Sequence, residues 1–293
     1  MKFLHQANIS MLSAVNHYYK NILHWKSSYL RLFFSVIIII LCFIAGAYPD
    51  SFITEDNDQS RLFLMLLPFC TGLAGLYLVF RFLHHADFSK LFIPDGILKI
   101  SVKRIFFGFF LWLAIQIFLE IIMFMLNPDD YSFQYDLPVS WLWLVLVALL
   151  MIPVQTSFEE LFVRSYLLQY FYKFFDKKFV ALCSSSIFFA ILHYSNPEIV
   201  EYGAGIMLFY YFLAGLGIGL ISYFDNRMEL ALGMHASNNI YAAVLVSYKK
   251  AAFDTQPLIE VSSMNVFASI ALFLIGIFIF LLICKYNYKW VLP

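Results

Sequence analysis

Charge is what this chain has least of. Asp, Glu, Lys and Arg make up 13% of its 293 residues, against about 25% in ordinary soluble domains. A solvated globular fold is excluded on that ground. Lys and Arg number 19 and so do Asp and Glu, so no basic excess exists to attract nucleic acid. Cysteine is scarce as well. Cys42, Cys70, Cys183 and Cys284 lie in or beside apolar runs without metal-type spacing, and read as small hydrophobes. What the chain has in plenty is apolar surface: 62% hydrophobic residues, 20% aromatics and 34 Phe, with mean hydropathy +0.79. Such a composition predicts an all-α, polytopic integral membrane protein with aromatic lipid-facing surfaces.

The first 28 residues do not form a secretory signal, because the first long apolar run begins only near Tyr29. Ile9, Leu12, Val15, Tyr19, Ile22 and Leu23 recur at helical spacing among Lys20, His24 and Lys26. That pattern predicts an amphipathic interfacial segment over 1–28. Residues 29–293 then form one transmembrane bundle of about eight spans around an intramembrane polar cavity. Each span is near the ~20 residues that a bilayer core requires. The expected spans are Leu30–Tyr48, Leu62–Phe82, Ile105–Leu126, a run from Val139, Phe179–Tyr194, Gly205–Phe224, Glu229–Tyr248 and Val266–Cys284.

The run from Val139 to Phe175 has no loop signal except Pro153. As one helix it would measure about 55 Å, well beyond a bilayer core of about 30 Å. A kink or break is expected near Pro153, with Ser157 and Glu160 at capping-box spacing beyond it. Gly215, Gly217 and Gly219 predict close helix packing.

Loop charge sets the orientation. Lys2, Lys20, Lys26 and Arg31 precede or edge the first span, and the loop after it holds Asp50, Glu55, Asp56 and Asp58 without a base. Lys90, Lys99, Lys103 and Arg104 fill the next loop, and Asn127–Pro138 again has none. The alternation continues through Lys173, Lys177 and Lys178, with Lys249 and Lys250 as the exception. It predicts both termini on the cytoplasmic side, in the inner membrane if the cell is bacterial, and a cavity opening inward.

Against this apolar background, Ser157-Phe-Glu-Glu-Leu-Phe-Val-Arg164 places two carboxylates and a guanidinium inside a span. Each costs roughly 2.5–3.5 kcal/mol to insert, so the three need partners or a task. Glu160 and Arg164 are four apart and share a helix face as an ion pair. Glu159 points about 100° away and is the residue left for chemistry. His193 ends the fifth span, and His235 and Asn239, four apart, share a face of the seventh. A lone histidine or ion pair in a span is ordinarily structural. Three polar clusters on neighbouring spans point instead to a common site. Glu120, in the third span, stays unassigned.

A carboxylate and imidazole can activate water, and a second imidazole with an amide can stabilise an oxyanion. The set reads as amide hydrolysis without a covalent nucleophile, since Ser184, Ser185 and Ser186 sit in no recognisable motif. The same Glu159, His193 and His235 also form a possible ligand set for a divalent metal such as zinc, although no His-Glu-x-x-His helix is present. Two other readings stay open: a non-catalytic membrane binding or immunity protein on the same fold, and a transporter using a Glu/His relay.

Glu159-Glu160-x-x-x-Arg164, Phe189-x-x-x-His193 and His235-x-x-x-Asn239 resemble the three motifs of the CAAX-processing and bacteriocin-processing (CPBP) intramembrane endopeptidases, which include the type 2 CAAX prenyl proteases. The match runs from about Val139 to Val246, with 139–246 as the catalytic core. Ser165 departs from the Gly common after the Arg. The resemblance implies a multi-pass membrane peptidase acting on a membrane-associated or hydrophobic protein or peptide. It implies that Glu159 and His193 activate water, that His235 and Asn239 hold the oxyanion, and that Glu160 and Arg164 support the site. The family also carries a metalloprotease label.

Overall fold

The computed structural model describes residues 27–49, 58–92, 99–253 and 255–290. The expected interfacial segment over 1–28 lies outside these except for Ser27 and Ser28, as does most of the acidic loop after the first span. The described residues are overwhelmingly helical. The first three helices are α1 Tyr29–Ala47, α2 Asp58–Leu78 and α3 Val102–Leu126. The motif run is α4 Val139–Glu159 followed by α5 Leu168–Phe175. Then come α6 Lys178–Leu192, α7 Pro197–Tyr202, α8 Ala204–Asp225, α9 Glu229–Ile240 and α10 Val266–Tyr288.

Among the described residues, six helical stretches are long and apolar enough to cross a bilayer: Tyr29–Ala47, Arg61–Leu83, Val102–Leu126, Val139–Phe175, Ala204–Asp225 and Val266–Tyr288. The other two expected spans correspond to shorter elements, the 15-residue α6 and the 12-residue α9 with a π-helical extension Tyr241–Leu245. Phe33, Leu41, Phe110, Leu150, Phe267 and Phe278 are exposed. These side chains make the outer surface apolar, as a lipid-facing bundle requires.

The expected break near Pro153 does not occur. α4 runs through Pro153 to Glu159, and the hydroxyls of Thr156 and Ser157 donate to the carbonyls of Ile152 and Pro153. Ser157 therefore bonds backward along its own helix at 2.6 Å, and it caps nothing. The irregularity falls later. Glu160–Leu167 forms a π-helical stretch, and Leu168 N–H reaches Val163 O, five residues back. Wide turns of this kind occur mostly at functional positions in helices, and this one begins at the second glutamate.

The motif run is two-faced. Phe158, Phe162 and Tyr166 stack four apart, with centroid separations of 5.6 and 6.2 Å. This aromatic ladder meets Phe43 of α1 and Phe69 of α2. At its end Tyr166 OH lies 2.9 Å from His84 Nε2, which also lies 3.1 Å from Ser35 Oγ. The polar groups of Gln155, Glu159, Glu160 and Arg164 occupy the rest of the helix.

Close backbone approaches position the helices that meet this polar face. Gly233 of α9 abuts the Ile105 carbonyl of α3, and Gly108 of α3 lies 2.5 Å, measured from the place a Cβ would take, from the Leu230 carbonyl. α9 begins inside the protein: Glu229 is fully buried, accepts a bond from Ser101 N–H and pairs with Arg227. Gly215 and Gly219 set α8 against α6 at Ser186 and Leu182, and Gly217 faces Ile277 of α10. The expected glycine packing is thus present.

A small sheet, unforeseen in the sequence, ties the loops at one end of the bundle. Its strands are β1 Tyr131–Phe133, β2 Val246–Tyr248 and β3 Ile259–Val261, in the order β1-β3-β2. Tyr131 pairs with Val261 in the antiparallel ladder, and Val246 pairs with Ile259 in the parallel one. At three residues each, the strands carry too weak a pattern to read beside long apolar runs.

Candidate active site

Glu159 and Glu160 both meet His235. Its Nδ1 lies 2.7 Å from Glu160 Oε1, and its Nε2 lies 3.5 Å from Glu159 Oε2. Neighbouring helical residues point about 100° apart. The imidazole nevertheless joins them, because its two nitrogens lie on different edges of the ring.

Glu160 also accepts from Arg164 Nη1 at 3.0 Å, and both side chains are fully buried. The guanidinium lies over the Phe189 ring, 3.7 Å from its centroid. Phe189 belongs to the second motif, and its carbonyl accepts the Nδ1–H of His193 at 2.8 Å. The ion pair expected from i,i+4 spacing therefore does more than brace its own helix. It holds His235 on one side and the turn bearing His193 on the other.

Glu159 is held by Gln155 Nε2, 3.3 Å from its Oε1, and its Oε2 is buried without a hydrogen-bond partner. The charge count is informative. Two carboxylates and one guanidinium leave one negative charge in the buried cluster, and an uncompensated buried charge costs several kcal/mol.

Glu159, His193, His235 and Asn239 all line one cavity of about 690 Å³. His193 stacks on Tyr211 at 4.4 Å between centroids. Asn239 Oδ1 accepts from Asn238 Nδ2 at 3.2 Å, which leaves the Asn239 amide hydrogens to offer. Asn238 in turn accepts from Gln116 and Trp112 of α3. Of the residues the sequence left unassigned, Glu120 also lines the cavity and accepts the Tyr131 hydroxyl at 2.5 Å.

The cavity wall continues from Glu159 to Asp130, Tyr131, Tyr248, Ala252 and Ser263, around the loops and strands at the sheet end. Residues of the loops between α3 and α4, α6 and α8, and α9 and α10 line it there.

The three serines of α6 donate to carbonyls of their own helix, in keeping with their absence from the chemistry. For a metal, the donors fit poorly. Among the described residues no three His, Cys, Asp or Glu side chains are grouped to hold one ion.

Gln155, Asn238 and Tyr211 were not singled out in the sequence. Gln155 had a signal, its position four residues before Glu159. Tyr211 had none, because its stacking on His193 is set by packing between helices.

Residues 138–241 match the model of the Rce1-like family, the type II CAAX prenyl endopeptidases. The chain is 28% identical over 245 residues to the uncharacterized protein YyaK of Bacillus subtilis (strain 168), covering 78% of this chain and 81% of that one. No solved structure matches the chain. The stretch that supplies Glu159, Glu160, Arg164, His193, His235 and Asn239 is thus the part of the chain that is similar to the Rce1-like type II CAAX prenyl endopeptidases.

Proposed function

We propose that this protein is an intramembrane endopeptidase that hydrolyses a peptide bond with an activated water, its catalytic core spanning 139–246. The observation that carries the reading is the contact of both motif glutamates with the two nitrogens of one histidine, inside a cavity that His193 and Asn239 also line. In this reading Glu159 takes a proton from water as the water oxygen attacks the substrate carbonyl carbon. His193, oriented by the Phe189 carbonyl, positions that water. The new oxyanion receives hydrogen bonds from the Asn239 amide and from protonated His235. When the C–N bond breaks, the proton held by Glu159 passes to the leaving amine.

Glu160 is the positioning residue. A carboxylate behind a working imidazole fixes its ring and tautomer. The buried Arg164 holds Glu160 in place from its other side. The substrate is a hydrophobic or membrane-associated protein or peptide that enters from the sheet end of the bundle. By loop charge the opposite side of the bundle is the cytoplasmic one.

Mass spectrometry of membrane peptides from cells carrying the wild-type protein or Glu159→Ala tests the reading. Peptides that appear only with the wild type are expected, and a chelator-treated arm reports on metal dependence. Identical peptide sets in both strains would overturn it.

A further inference from the structure

The cavity continues past the catalytic groups into a second polar region that the proposed hydrolysis does not use. Its wall carries four carboxylates, of Glu120, Asp130, Glu159 and Glu198, and no Lys or Arg. Glu198, on α7, is 2% exposed. Its Oε1 accepts from Ala252 N–H at 2.5 Å and from Tyr248 OH at 3.2 Å. Its Oε2 is buried and accepts no hydrogen bond. A carboxylate oxygen buried without a donor is costly unless a partner arrives.

Tyr211 links this residue to the catalytic side. Its ring stacks on His193, and its hydroxyl accepts from Asn196 Nδ2 at 2.8 Å, two residues before Glu198. The rings of Tyr210, Tyr211 and Tyr248 line the cavity together with Glu198, and aromatic faces add to the attraction for a cation.

We propose that Glu198 marks a subsite for a positively charged group of the substrate, an ammonium or guanidinium next to the bond to be cut. The ligand chemistry is a cation carried on an otherwise hydrophobic peptide. The aliphatic stem of Lys or Arg lies along the tyrosine rings, and its charged head supplies the donor that Glu198 Oε2 lacks. Burial pushes the Glu198 carboxyl above the usual carboxylate range, and the bonds from Ala252 and the nearby tyrosine hydroxyls only partly offset this. An incoming cation favours the charged carboxylate. The subsite rests on the endopeptidase reading for its role in cleavage, but not for its binding.

The test uses the full chain in lipid nanodiscs and a set of hydrophobic, N-acetylated peptides in which one norleucine at a time is replaced by Lys or by Glu. A matching peptide with a free N-terminus separates an amino-terminal ammonium from a side-chain one. Binding is read in the Glu159→Ala protein and cleavage in the wild type. At one or a few adjacent positions, or at the free terminus, a cation is expected to improve both by about tenfold over norleucine, as a charge-assisted bond would, and Glu to weaken them. Glu198→Gln should bring the ratio close to one, whereas Glu198→Asp should keep part of the preference. No cation preference in the wild type, or one that survives Glu198→Gln, overturns the subsite. If Glu198→Gln does not fold, the Lys-against-Glu comparison in the wild type decides alone. Preferred binding without any cleavage would sink the endopeptidase reading and leave the subsite standing, and cleavage without preference would do the reverse.

Discussion

Glu160 Oε1 lies 2.7 Å from His235 Nδ1 and 3.0 Å from Arg164 Nη1, so one buried oxygen serves both an imidazole and a guanidinium. This arrangement divides the labour between the two adjacent glutamates. Glu159 reaches the open cavity, and Glu160 fixes the histidine that faces it.

Removing Glu159 and removing Arg164 should therefore have opposite signatures. Glu159→Ala is expected to abolish cleavage while moving stability by no more than about 1 kcal/mol. Arg164→Ala leaves Glu160 buried without its cation and should cost roughly 3–5 kcal/mol. Activity and thermal unfolding of both variants, measured side by side, check this. Equal loss of folded protein in the two would contradict the division.

Glu160→Gln keeps the shape but offers His235 Nδ1 a neutral acceptor. A loss in kcat on the order of 10–100-fold is expected, typical for disturbing a group behind a working histidine, with KM little changed. A variant that merely packed badly would lose folded protein and keep the kcat of the molecules that remain folded.

At Gly215 a Cβ would lie 3.2 Å from Arg164 Nη2, 3.2 Å from the Phe189 ring and 3.3 Å from the Ser186 backbone. Gly215→Ala should cost about 1–3 kcal/mol through overpacking. Gly205 lies near the start of the same helix with nothing within 4 Å of such a Cβ, so Gly205→Ala should be neutral or slightly stabilising. Melting temperatures of the pair in one detergent provide the comparison.

Glu198 predicts a pH dependence of stability. Its folded carboxyl is raised by burial, so the folded state holds this proton more tightly than the unfolded chain does. The stabilisation is complete below the ordinary Glu value of about 4.3 and is lost as pH rises through the higher folded value. Glu198→Gln should flatten that part of the profile. Unfolding curves from about pH 4 to 8 for both proteins measure it.

Much of the site was legible because buried charge is rare in lipid. The spacing of Glu160 and Arg164 gave the ion pair directly, and Glu159, His193, His235 and Asn239 stood out against apolar neighbours. The convergence of both glutamates on His235 was not legible. It depends on how α9 packs against α3, where Glu229 at its start binds the Ser101 N–H, far away in sequence. Pro153 misled because a proline removes only one N–H, and α4 runs on through it to Glu159. The small sheet was not legible either, because strands of three residues leave no periodic mark.

The Arg164 guanidinium lying flat on Phe189 has a mechanical consequence. It clamps the helix bearing the glutamates to the turn bearing His193, and the same Glu160 oxygen grips the third motif. Fraying of any one of these segments releases the other two. Warming should therefore extinguish hydrolysis and native structure at the same temperature, without a half-assembled, sluggish species in between.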